Sequence, residues 1–265
     1  MIRPILSASV SSARVIGLLC LLVLSGCVST TESVFTTEAN PDEVLRRRVE
    51  LARNYIGEGN WEDAKRNLKI AQQINAEDPE VHEAFALVYQ STGEIGLAEE
   101  SYKKAINLKR DFSRARNNYA TFLFSQARYA DAEQQLEHVV TDSLYNQRPR
   151  AYVNLGLCRV QLNNPVGAEA AFVRALSMER TNQIALLETA QLSFEKADYE
   201  SAERYYGIYR SVVRQQSARA LWLGIRLARA QSDQNAEASH ALALRNLYPQ
   251  SGEYSAYKRS MNHDQ

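Results

Sequence analysis

Residues 79–112 read PEVHEAFALVYQSTGEIGLAEESYKKAINLKRDF, and residues 113–146 read SRARNNYATFLFSQARYADAEQQLEHVVTDSLYN. Laid one above the other, the two stretches align small residues at Ala86 and Ala120, small residues again at Ala98 and Ala132, and bulky ones at Tyr102 and Leu136, each pair 34 positions apart. The register continues outward in both directions. Ala64, Ala98, Ala132, Ala168, Ala202 and Ala236 follow one another at spacings of 34, 34, 36, 34 and 34. Twelve positions before them stand Ala52, Ala86, Ala120, Gly156, Ala190 and Gly224. Four after come Leu68, Tyr102, Leu136, Phe172 and Tyr206, with His240 departing from the pattern, and seven after come Ala71, Ala105, Val139, Ala175, Tyr209 and Ala243.

Such a pattern has a steric origin. Two antiparallel helices approach closely only where small side chains occupy their crossing, and bulky neighbours must then fill the space beside it. A single pair cannot bury its apolar face, so pairs stack into a continuous core. The 34-residue period with these small positions resembles the tetratricopeptide repeat (TPR), a helix–turn–helix unit. The resemblance implies an all-α protein, a right-handed superhelix of six TPR helix pairs at 45–78, 79–112, 113–146, 149–182, 183–216 and 217–250, followed by a C-terminal cap or tail at 251–265. The punctuation agrees: Gly57-Glu58-Gly59-Asn60, Thr92-Gly93 and Asn163-Asn164-Pro165 fall between the A and B helices of their units, and Pro79 and Pro149 open new A helices. The two extra residues lie at 142–148, between the third and fourth units.

Composition narrows the function classes. The chain carries 31 basic and 31 acidic residues, a balance that argues against a nucleic-acid partner, which needs excess Lys and Arg to neutralise phosphates. No catalytic constellation is present. His82-Glu83 begins like a zinc-protease motif, but position 86 is Ala instead of the second His. Gly57-x-Gly59 lacks a preceding strand and a third Gly. Cys158 reads as a buried small apolar residue. The expectation is therefore a protein that is not an enzyme and uses neither cofactor nor metal.

The first 26 residues read as an export signal. Arg3 and Arg14 precede the apolar run VIGLLCLLVL at 15–24, which is too short to span a bilayer and suits a signal-peptide core. The run ends in Leu24-Ser25-Gly26-Cys27, which resembles the bacterial lipobox. That resemblance implies cleavage before Cys27 and acylation of its thiol, and Val28 and Ser29 in place of a retention Asp imply the inner leaflet of the outer membrane. The stretch 27–44 is read as the lipidated Cys and a flexible tether, since its Ser, Thr and Glu content shows no helical period.

In TPR stacks the A helices line the concave side, which implies that offsets 2, 5, 9 and 12 of each unit face a groove. The groove residues selected as a partner site are Val49, Arg53, Ile56, Leu87, Asn117, Phe124, Val153 and Leu157. Exposed contiguous apolar surface marks an interaction site, and a partner helix or extended peptide is expected there. The lipobox, the polar tether, the runs Asn54-Tyr55, Gly57-x-Gly59-x-Trp61, Asn117–Leu123 and Tyr152–Cys158, and the six units together resemble the pilotin lipoproteins of type IV pilus secretins, the PilW/PilF family. The resemblance implies a monomeric body that binds an outer-membrane secretin subunit and promotes secretin localisation, multimerisation and twitching motility. A scaffold of outer-membrane protein assembly or peptidoglycan synthesis is the alternative that the TPR pattern alone leaves open.

Overall fold

Each repeat turns on the same backbone device. The residues Gly59, Gly93, Ala127, Asn163, Ala197 and Ser232, with φ of 73°, 81°, 57°, 56°, 60° and 58°, all lie just past the end of an A helix. The residue after each donates its N–H to the carbonyl five positions back: Asn60 to Tyr55, Glu94 to Tyr89, Arg128 to Leu123, Asn164 to Arg159, Asp198 to Ser193 and Asp233 to Ala228, at 2.8–3.0 Å. This left-handed residue with its six-to-one bond closes the open carbonyls of the A helix and reverses the chain. The B helix then begins within two residues, often on a side-chain cap, as where Asn164 Oδ1 accepts from Gly167 N at 2.9 Å.

The computed structural model describes residues 40–263. Among them are thirteen helices and no strand. The helices are α1 (Pro41–Gly57), α2 (Trp61–Ile74), α3 (Pro79–Thr92), α4 (Ile95–Leu108), α5 (Ser113–Ser125), α6 (Tyr129–Thr141), α7 (Arg148–Gln161), α8 (Pro165–Met178), α9 (Gln183–Glu195), α10 (Tyr199–Val212), α11 (Ala218–Ala230), α12 (Gln234–Leu247) and α13 (Gly252–His263). Odd-numbered helices α1 to α11 are the A helices of six pairs, and even-numbered α2 to α12 are the B helices. Each A helix from α3 onward packs against its own B helix, each B helix against the next A helix, and α3 with α5, α5 with α7 and α9 with α11 also touch. This is the TPR superhelix expected from the repeat. The helix α13 closes the last pair by packing on α11 and α12.

The first helix starts earlier than the repeat period suggests. Pro41 lies inside the stretch assigned to the tether, yet α1 begins there. Asn40 Oδ1 accepts from Asp42 N at 3.0 Å, Pro occupies the first helical turn, and Asp42 and Glu43 favour the helix N-terminus. The signal segment, Cys27, the tether up to residue 39 and the last two residues lie outside the described residues.

The core follows the repeat arithmetic. Ala64, Ala98, Ala132, Ala168 and Ala202 are fully buried, as are Leu68, Tyr102, Phe172 and, within 1%, Leu136 and Tyr206. The two glycines of the small position have the tightest surroundings. A Cβ built on Gly156 would lie 2.5 Å from the ring of Phe172, and one on Gly224 would collide with Tyr206 Oη and the His240 ring. In the last pair Ala236 and Ala243 are only half-buried. The helix α13 that follows packs over Leu221, Ile225, Ala241 and Leu244.

Candidate protein-binding surface

The A helices build the candidate surface, and the structure sorts its eight expected residues into two groups. Ile56 on α1, Leu87 on α3, Phe124 on α5 and Leu157 on α7 are partly exposed. Val49, Asn117 and Val153 are buried to 3% exposure or less and belong to the core, where a partner cannot reach them. They occupy the fifth position of their repeats, and the adjacent A helix packs over that position. Leu221 and Ile225 on α11 are buried as well, there beneath α13, which removes those groove positions too.

Arg53 also has another role. Its Nη2 donates to Glu83 Oε2 at 2.5 Å and lies 3.7 Å from Glu80. The Glu83 side chain is fully buried, and it also accepts from Asn118 Nδ2 at 2.7 Å, with Arg114 Nε at 3.7 Å. One carboxylate of the second repeat thus ties α1, α3 and α5 together. A buried charge without such partners would be very costly, so Arg53 is committed to the scaffold rather than held free for a ligand. Reading sequence offsets alone missed Glu83 as an organising residue. The available signal was a carboxylate at an inward-facing position, 30 residues after Arg53 and 35 before Asn118, so that polar partners stand on both neighbouring A helices.

What remains accessible is a line of apolar side chains on successive A helices: Ile56, Leu87, Phe124, Leu157, Val160 and Leu187, with Ile184 half exposed at 51%. The line deepens into a pocket of about 170 Å³ among α5, α6 and α7, lined by Ala120, Thr121, Phe124, Leu136, Asn154, Leu157 and Cys158. Phe124 is braced edge-on by Tyr129, ring centroids 5.0 Å apart. Burial pushes the Cys158 thiol up to about 12, so at neutral pH it is an apolar wall and not a thiolate nucleophile. Asn154 and Cys158 were not among the expected site residues, although both lie in the 152–158 run.

A wider cleft of about 640 Å³ opens elsewhere, bounded by Arg110, Asp111, Ser113, Arg116, His138, Thr141 and Asp142. Part of its lining is engaged: Ser113 Oγ donates to Asp142 at 2.5 Å, and Arg116 donates to Arg110 O and to Gln135. Among the described residues no cluster of His, Cys, Asp and Glu is placed to hold a metal, and no helix is long and apolar enough to cross a membrane.

Stacked helix pairs with an accessible apolar line on their A helices define a tetratricopeptide-repeat protein, and the tetratricopeptide repeat pattern matches residues 79–112. The chain is 36% identical over 236 residues to the type IV pilus assembly protein PilF of Pseudomonas aeruginosa, covering 89% of this chain and 93% of that one. It therefore belongs to the PilF family of type IV pilus biogenesis TPR proteins. The solved structure of P. aeruginosa PilF superposes with a TM-score of 0.79 over 83% of this chain and 99% of that one. The structure of PilW, a type IV pilus biogenesis factor, shares the fold at a TM-score of 0.70 and 24% identity over 83% of this chain and 99% of that one. An uncharacterised Haemophilus influenzae protein is 35% identical over 136 residues, 51% of this chain and 74% of its own length.

Proposed function

We propose that this protein is a pilotin: an outer-membrane lipoprotein that binds secretin subunits through its A-helix surface and promotes their localisation and multimerisation for type IV pilus assembly. The observation that carries this reading is the apolar line Ile56–Leu87–Phe124–Leu157, left partly exposed in a chain of a pilus-assembly family. A stack that served only as a spacer would gain by covering those side chains with polar ones. The Leu24-Ser25-Gly26-Cys27 lipobox supplies the anchor. Three acyl chains hold far more firmly than one, whose binding is marginal and reversible. The mechanism is tethering: the lipid on Cys27 fixes where the protein sits, the stack supplies the affinity, and no covalent chemistry is required of it.

The test is genetic and biochemical. Deleting the protein should abolish heat-resistant secretin multimers in the outer membrane and, with them, twitching motility. Unchanged multimers would reject the pilotin reading and favour a scaffold of another envelope machine, which co-purifying barrel-assembly or cell-wall enzymes would reveal. The Cys27→Ala variant should be a soluble periplasmic protein that still binds secretin subunits but no longer delivers them. Normal multimer levels in that variant would reject tethering.

A further inference from the structure

The repeat register runs on past α12. Positions four, eight and eleven of an A helix meet the B helix of the same repeat. Arg48 and Arg116, at the fourth, donate to Asn67 and Gln135. Gly156, at the eighth, lies beneath Phe172, and Arg159, at the eleventh, donates to the carbonyl of Gly167. In the sixth repeat these positions are Ala220, Gly224 and Leu227, all buried. One period further on, α13 carries Tyr254, Lys258 and Met261. It packs on α11 and α12 as an A helix packs on the repeat before it. Among the described residues no B helix follows to cover this face. Tyr254 is half-buried, Lys258 is exposed and Met261 is 47% exposed.

Beside that face, between α12 and α13, opens a cavity of about 420 Å³ walled by Ala238, Ala241, Leu242, Arg245, Tyr254 and Tyr257. Leu242 is 50% exposed. The free charge at this end is of one sign. Glu237 and Glu253 are the acidic residues within the two helices. Glu237 is held by Arg229 at 2.7 Å, and Glu253 interacts with Arg219. Arg245, Lys258 and Arg259 are exposed, and neither helix has a carboxylate left for them. Lys258 Nζ lies over the Tyr254 ring, 5.0 Å from its centroid.

We infer that the α12–α13 end of the stack is a second docking site, taking an amphipathic helix of a partner whose apolar stripe enters the cavity and whose flanks carry Asp or Glu. The repeats themselves indicate a helix, because an antiparallel helix covers the equivalent face of the earlier A helices. The acidic flanks answer Arg245, Lys258 and Arg259. A terminal repeat needs a polar outer face for solubility, and Lys258 meets that need. Solubility does not account for Tyr254, Leu242 and an apolar cavity beside them. Lys258 stands where the repeats have Ala or Gly, so the incoming helix rides over bulky side chains at about 10 Å, the wide end of helix packing. A second copy of this chain is a poor occupant. A twofold contact sets the same patch on both sides, and that would bring two sets of Arg245, Lys258 and Arg259 together.

The experiment uses the full chain in detergent micelles and phage-displayed peptides of about 18 residues, long enough to form a helix. Each peptide has a fixed apolar stripe and randomised flanks, and Leu242→Glu protein in the same micelles is the counter-selection target. That control also subtracts uptake by detergent. Leu242, Arg245 and Lys258 are exposed, so an unchanged melting temperature verifies that their variants fold. Selected peptides should carry Asp or Glu beside the stripe. Changing those acids to Lys, or using Leu242→Glu protein, should weaken binding about tenfold or more. Protein carrying both Arg245→Glu and Lys258→Glu should reverse the preference and bind the Lys-flanked version. A photo-crosslinker on the stripe should label Leu242, Tyr254 or Met261. Recovery of no peptide, flanks without acidic bias, an unreversed preference, or labelling of Phe124 and Leu157 instead would overturn the inference. So would a dimer in sedimentation that Leu242→Glu dissociates, since a second copy would then hold the face. The site lies apart from the A-helix line, so secretin multimers in the Leu242→Glu strain report on neither reading of the other surface, and loss of the pilotin role leaves this test intact.

Discussion

At the scale of the residue, the tightest positions are those with no side chain. Gly156 lies under the fully buried ring of Phe172, and a Cβ there would come within 2.5 Å of it. The ring is enclosed on every side and cannot yield, so Gly156→Ala should destabilise by about 1–3 kcal/mol, as overpacking does. Urea titration of the variant checks this, and an unchanged midpoint would show that α7 and α8 can separate. Glu83 is the opposite case, a charge with no exposure that is held by Arg53 and Asn118. Glu83→Ala should cost about 3–5 kcal/mol, because it strands partly buried guanidinium groups. Lys196→Ala should stay within about 0.5 kcal/mol, since its pair with Glu169 is largely solvated. Comparable losses from the two variants would contradict the structural role given to Glu83.

At the scale of the element, the six A-to-B turns share one geometry but not one residue type. Gly59 and Gly93 suit a positive φ, whereas Ala127 at 57° and Ala197 at 60° carry a Cβ that clashes with the backbone in this region. Ala127→Gly and Ala197→Gly should each stabilise by roughly 0.5–1 kcal/mol, the left-handed penalty minus the extra entropy of glycine. Thermal melts of both variants measure it, and a loss of stability would mean that the alanine methyl groups pack usefully. These two turns also explain why sequence punctuation located only some of the reversals. The glycine and Asn-Pro turns advertise themselves, but Gln126-Ala127-Arg128 and Lys196-Ala197-Asp198 contain no breaker. There the packing of α5 on α6 and of α9 on α10 supplies the energy that forces an alanine into an unfavourable conformation. The start of α1 was hidden for a related reason: Asn40-Pro41 is a helix-start signal that sits outside the 34-residue period.

At the scale of the whole molecule, the repeats are joined by cross-links as well as by apolar contact. Lys65–Glu94 joins the first repeat to the second, Glu99–Arg128 the second to the third, Glu133–Arg159 the third to the fourth, Lys196–Glu169 the fourth to the fifth, and Arg219–Glu188 the fifth to the sixth. Stability in such a stack is a sum of units and their interfaces, and its pH dependence follows from buried groups in separate repeats. His82 and His240 are both held below their ordinary value of 6.5, chiefly by burial. Both are therefore neutral in the fold, while the unfolded chain takes up protons as pH drops below 6.5, so their contribution is present above that value and is lost through the depressed values. Lys103, Arg128 and Tyr119 hold Glu99 down from 4.5 to about 2, which adds a second loss as pH falls through that lower range. The melting temperature should accordingly fall on acidification below pH 6.5, and His240→Leu, which restores the bulky residue of the repeat, should flatten the first part of the decline. A melting temperature insensitive to pH through this range would count against the burial of both imidazoles.

Sequence by itself determined the period, and the period determined the helices. Small residues at 34-residue spacing are satisfied by close helix crossings, so the class of fold and the identity of most core residues follow from the pattern alone. The tertiary structure decided which inward-facing positions a partner can touch. Val49, Asn117 and Val153 occupy the same nominal face as Ile56, Phe124 and Leu157, but whether a side chain there is covered depends on how closely the next A helix leans against it. That distance is set by the summed volumes of residues from three helices, and no pattern along a single strand of sequence contains it.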